Sequence, residues 1–197
     1  MDEFRNSAFL RGCVTSPPVF SHSVKEENFY TFPVSTERLS GACDTVNILI
    51  NEKTLANSSF ACGDNVEITG ELRSYNNKSG VGSRLILTVF ARTCVKTAEP
   101  DENRIILHGT VCKMPILRKT PMGRSICDIM LAVNRHYGRA DYIPVIAWGQ
   151  WAILSSDLSV GDSITVDGRL QSRKYIKTDG EKTVERTAFE VSATIIE

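Results

Sequence analysis

Laid over itself at a shift of 97 residues, the chain brings Asn6, Leu10, Gly12, Val14 and Pro18 onto Asn103, Leu107, Gly109, Val111 and Pro115. The same shift puts "VSTERLSGACD" (34–44) over "LAVNRHYGRAD" (131–141), pairing Arg38 with Arg135, Gly41 with Gly138 and Asp44 with Asp141. After one inserted residue, "GDNVEITGEL" (63–72) lies over "GDSITVDGRL" (161–170). An internal duplication on this scale decides the architecture before any single motif can. We expect two homologous domains, 1–97 and 102–197, joined by the polar, Pro-containing stretch "KTAEPDEN". The length of 197 residues allows this, since two domains of about 100 residues can each close a core.

Within each copy the apolar residues recur with period two, in short segments broken by Gly, Asn and Asp, which predicts strands. In the second copy Ile105, Leu107 and Val111 share a face, with Gly109 allowing a sharp bend. Cys127, Ile129, Leu131 and Val133 share the next, then Ile143, Val145 and Ala147, then Ile164, Val166 and Leu170. "QWAILSSDLSVGD" has helical spacing ahead of the fourth strand, and "RTAFEVSATII" supplies a fifth. The expectation is an all-β chain of two tandem OB-fold barrels, each of five strands with a short helix between the third and fourth; strands two and three of that fold commonly hold oligonucleotides or sugars.

Hydrophobic content of 42% and charged content of 23% are those of an ordinary globular protein. With 23 basic against 23 acidic residues the net charge is zero, so any attraction to a polyanion must come from local clustering. No apolar run reaches the ~20 residues of a membrane helix, and "MDEFRNSAF" carries acids where a signal peptide carries a basic cluster; a cytosolic protein with no membrane partner is expected. The six cysteines are far apart, with neither a CxxC pair nor a nearby His to complete a zinc set, and read as reduced, half-buried small hydrophobes. His22, His108 and His136 lie on different elements in no catalytic spacing, and the G-x-G of "SGVGSR" lacks a P-loop lysine. Neither an enzyme nor a cofactor or metal is expected.

If Ile143, Val145 and Ala147 face the core, the pleat sends Tyr142, Pro144, Ile146 and Trp148 outward. On the fourth strand Thr165, Asp167, Arg169, Gln171, Arg173 and Tyr175 point outward in the same way, with Lys174 beside them. Lys113, Arg118, Lys119 and Arg124 form a second cluster with no acid between them, on the connection "KMPILRKTPMGR" between strands one and two. Rings beside cations suit single-stranded nucleic acid, because every base offers a π-face and every phosphate a charge; stacking contributes ~1–3 kcal/mol per base. Two blander readings compete. Outward rings can be covered by a partner subunit, and a basic strand edge can serve only to block aggregation. Trp151, inside the helix, reads as a core residue.

"NRIILHGTVCKMPILRKTPMG", "LAVNRHYGRADYIPVIAWGQWA" and "VGDSITVDGRLQSRKY" resemble the bacterial single-stranded-DNA-binding protein family over nearly the whole second copy. The resemblance implies that Tyr137, Tyr142, Trp148 and Tyr175 stack bases, and Arg135 of the Ala-Val-Asn-Arg motif joins the candidate DNA-binding residues. It implies single-stranded DNA as partner, roles in replication, recombination or repair on the nucleoid, and a homodimer displaying four barrels. A related architecture, the primosomal replication protein, is the alternative, acting mainly through replication or primosome proteins. Family members usually carry an acidic tip; this chain stops at "VSATIIE", and recruitment by that route is not expected of it.

The first copy departs where ligand would sit. Thr45 and Asn51 stand in the places of Tyr142 and Trp148, Ser40 replaces Tyr137, and Glu71 replaces Arg169. Its outward fourth strand (Glu67, Thr69, Glu71, Arg73, Tyr75) is partly acidic and expected to repel phosphate, with Arg73 and Tyr75 as weaker contacts. The first copy is therefore expected to be mainly structural or a partner surface.

Overall fold

A computed structural model describes residues 6–77, 85–135, 138–179 and 182–197, with the side chains of 174–179, 182 and 184–186 outside the description. The described chain is predominantly β. The first copy holds β1 (Asn6–Val14), β2 (Val19–Val24), β3 (Glu27–Glu37), β4 (Cys43–Asn51), α1 (Glu52–Ala56), β5 (Asn65–Asn76) and β6 (Leu85–Lys96). The second holds β7 (Glu102–Val111), β8 (Ile116–Lys119), β9 (Ser125–Asn134), β10 (Ala140–Trp148), α2 (Gln150–Ser155), β11 (Ser163–Asp179) and β12 (Lys182–Ile196).

The two copies repeat one pattern of pairing. In the first, β1 pairs with β3 and β5, β3 with β4, and β4 runs parallel to β6, which lies beside β5. In the second, β7 pairs with β9 and lies beside β11, β9 pairs with β10, β10 runs parallel to β12, and β12 pairs with β11. Each set of pairings closes on itself, leaving β2 or β8 as an added edge strand. The expected connection between strands one and two of the second copy is therefore partly a strand. Ile116 to Lys119 pair with Asp128 to Ser125 across a turn in which Gly123 takes a φ of +80°.

Two glycines permit the tight crossing of first and second strands: a Cβ on Gly12 would strike the Ser35 carbonyl oxygen, and one on Gly109 would come within 2.6 Å of the Ala132 carbonyl oxygen. The recurring Gly-Asp is a structural device too. Asp64 accepts from the Ala61 N–H and Asp162 from the Ser159 N–H, while the Gly63 and Gly161 N–H groups donate to the carbonyls of Val14 and Val111. In both copies an arginine also holds a buried aspartate, Arg38 on Asp44 and Arg135 on Asp141.

The compact units follow the repeat only in part. One takes Asn6–Arg73 and Thr88–Ile105; the other takes Ile106–Glu197 together with Ser74–Leu87. In the first, Leu10, Phe32, Ile48, Ile50, Ile68 and Leu72 are fully buried; in the second, Leu107, Leu131, Ile143 and Leu170 are. All the residues given core faces in the second copy are buried. Two of its expected outward residues are buried as well. Ile146 is 3% exposed, in a row between Asp128 and Ser192 toward which the Trp148 indole leans; Gln171 is 8% exposed and donates to Glu190. Trp151 is half-buried, and Cys43 and Cys62 are exposed. No helix among the described residues is long and apolar enough to cross a membrane.

Candidate nucleic-acid interface

The outer face of β10 carries the rings. Tyr142 is 53% exposed and Trp148 37%. They are six positions apart on one strand, so they stand about 20 Å apart and would meet different bases. Trp148 is not loose: its indole N–H donates to Ser192 Oγ on β12 at 3.1 Å, which fixes the ring's edge and leaves part of its surface to solvent.

Register places the cations around it. Arg118 on β8 pairs with Ile126, and Ile126 with Trp148, so Arg118 stands in Trp148's own row two strands away, about 10 Å between backbones. On the other side Arg169 pairs with Ser192, the residue the indole reaches. Arg118 forks onto Asp128 at 2.5 and 2.9 Å, which raises the guanidinium pKa and aims it along the sheet. Arg173 lies 3.7 Å from the buried Glu190. Arg169, Lys113, Lys119 and Arg124 are exposed and have no ion-pair partner among the described residues.

Three expected residues fall partly or wholly outside the description. Tyr137 lies outside the described residues. Lys174 and Tyr175 lie on β11 with backbones opposite Thr187 and Arg186, but their side chains are outside it.

Arg135 has a task that the sequence did not reveal. Its guanidinium grips the buried Asp141 and donates to the Ser74 carbonyl, and the hydrogen bond to Asp141 raises its pKa. It also lies 5.6 Å over the Tyr75 ring. Ser74 in turn accepts the Tyr142 N–H at 2.9 Å and donates its own N–H to Asp141 at 2.6 Å. Tyr75, read as a weak candidate of the first copy, thus belongs with Arg135 and Tyr142, at 38% exposure. Arg73 turns the other way, onto Glu71.

In the first copy the outward acids are not bare. Glu67 accepts from Arg11 at 2.7 Å, and Glu71 from both Arg73 and Arg92. Asn51, in the place of Trp148, caps α1 by accepting the Thr54 N–H at 2.7 Å, whereas α2 starts at Gly149 with no side-chain cap. Among the described residues no group of three or more His, Cys, Asp or Glu could hold a metal ion.

Closed β-pairing with solvent-facing rings set between guanidiniums defines a β-protein with one open, ring-bearing sheet face. Comparison finds a family that this part of the chain resembles. Residues 102–197, the second copy, match the single-strand binding protein family. Over 87 residues, 41% of this chain, it is 37% identical to a single-stranded DNA-binding protein of Clostridium tetani and 39% identical to one of Bacillus cereus. The chain spans 60% and 51% of those two relatives' lengths. The solved structure of the wild-type single-stranded DNA binding protein from Thermus aquaticus superposes with a TM-score of 0.78 at 22% identity, covering 98% of this chain and 91% of that one. The fold is therefore shared along almost the whole chain, first copy included.

Proposed function

We propose that the protein binds single-stranded DNA, without catalysis and largely without sequence preference, in bacterial DNA replication, recombination or repair. Its two copies, 1–97 and 102–197, are read as tandem OB-fold barrels with a helix after the third barrel strand, and binding centres on the second. A homodimer displaying four barrels, on the nucleoid of the bacterial cytoplasm, is part of the same reading. The observation that carries it is Trp148, held by Ser192 with its surface open and guanidiniums two strands away on either side. Tyr142, Trp148, Tyr137 and Tyr175 stack bases; Arg169, Arg173, Lys174, Lys113, Arg118, Lys119 and Arg124 meet phosphates; Arg135 positions the rings. Action mainly through protein partners is not favoured, because the family and its curated relatives are named for single-strand binding.

The chain has two tryptophans, so a Trp151→Phe variant makes Trp148 the sole indole. Its fluorescence should quench on titration with oligothymidine, with affinity falling as salt rises and duplex DNA binding far more weakly. Equal affinity for duplex, or no response at low salt, would overturn the reading.

A further inference from the structure

The first copy lacks a ring at Asn51, yet rings stand around the place it would occupy. Corresponding positions can be read from the fold. Gly70 and Gly168 run so close to a facing strand that a Cβ would strike the carbonyl oxygen of Phe90 and of Ser192 respectively, and Leu49, which lies over Ile146 at the shift of 97, pairs in parallel with Phe90 as Ile146 does with Ser192. Phe90 is thus the counterpart of Ser192, the residue that holds Trp148. Where the second copy has Trp on the third strand and Ser on the fifth, the first has Asn and Phe. The ring has moved one strand over.

The cation has moved with it. Arg169 corresponds to Glu71, but Arg92 stands two residues from Phe90 on the same face, with its guanidinium 4.9 Å from the ring centroid and its side chain 56% exposed. Glu71 is shared between Arg92 and Arg73, so Arg92 does not hold this carboxylate alone. Beyond Phe90 lies Phe29, with ring centroids 6.2 Å apart, and the exposed His22 lies flat on Phe29 at 5.1 Å and 14°. A guanidinium 4.9 Å from one phenyl centroid and an imidazole stacked on another therefore stand together at exposed positions. Both are surfaces on which an unpaired base stacks.

We infer that the first copy carries its own single-stranded nucleic-acid site, built on Phe90, Arg92, Phe29 and His22 in place of the residues that form the proposed site of the second copy. The inference rests on the reading of that second site, since the exchange is recognised by comparison with it. It revises the expectation that the first copy is mainly structural or a partner surface.

The test uses the full chain and a labelled oligothymidine at low salt. Tyr142→Ala with Trp148→Ala silences the second-copy rings, and residual binding should persist. Adding His22→Ala and Arg92→Ala, both at exposed positions, should lower that residual affinity by about tenfold or more. The inference is overturned if the residual binding is indifferent to His22 and Arg92, as it would be if the patch served a protein partner, or if silencing the second copy leaves no binding. Neither result touches the second-copy reading. That reading fails separately, if Tyr142→Ala with Trp148→Ala leaves affinity unchanged, and His22→Ala with Arg92→Ala in the otherwise unaltered chain then still decides the first-copy site.

Discussion

Trp148 shows what one residue does at this surface. Its ring is half in the protein and half in water, and the Ser192 hydrogen bond spares it the rotamer entropy that a loose side chain would lose on stacking. Trp148→Ala should weaken oligothymidine binding by roughly tenfold or more, and Trp148→Phe, which keeps a π-face but loses the indole N–H, should fall in between. Isothermal titration of the folded variants checks this; unaltered affinity in the alanine variant removes Trp148 from the site. That Trp148 and Tyr142 face outward was legible in the sequence, because alternation along a strand is enforced by the pleat. Alternation assigns a face but not whether something lies over it. Ile146 and Gln171 have outward parity and are nevertheless buried, one in the row toward which the indole leans and the other bonded to Glu190. The work of Arg135 was hidden for a similar reason, since its contacts with Asp141, Ser74 and Tyr75 join residues up to 61 positions apart.

At the scale of elements, the repeated Gly-Asp turn is read easily and its energetics follow from its hydrogen bonds. Asp64 Oδ2 takes the Lys96 ammonium at 2.7 Å and the Ala61 N–H at 2.7 Å, and these two partners, the ammonium first, hold its carboxyl below the ordinary carboxylate pKa. A carboxyl with a depressed native pKa stabilises the fold above its unfolded value, and loses that contribution as pH falls through the native one. The melting-temperature advantage of the natural chain over Asp64→Asn should be constant near neutrality and shrink between roughly pH 5 and pH 2. A difference in melting temperature that is flat down to the acid limit would mean that the charge on Asp64 contributes nothing. The edge strands β2 and β8 were not foreseen, because four exposed residues next to a Thr-Pro-Met-Gly turn have the composition of a loop; pairing with β9 makes them a strand. Helix α1 shows the converse. Asn51 reads from alignment as a lost ring, whereas locally it is the cap that starts the helix.

For the whole molecule, zero net charge excludes a long-range pull on DNA, and any polyanion affinity is set by which cations are free of carboxylates. The structure sorts them. Arg118 and Arg173 each face an acid, Asp128 and Glu190, so a phosphate must compete with a carboxylate already in place. Lys113, Lys119 and Arg124 face none among the described residues. Each of the three should therefore release about 0.7 ion on binding single strands, and their joint replacement by Gln should flatten the slope of log K against log salt by about 2. Neutralising Asp128 in Asp128→Asn does the opposite, freeing Arg118 for phosphate and raising affinity at low salt. Anisotropy titrations of oligothymidine across a salt series measure both effects. If the triple variant keeps the slope of the natural chain, the β8 hairpin lies off the path of the strand, and the phosphates run instead along β11 past Arg169.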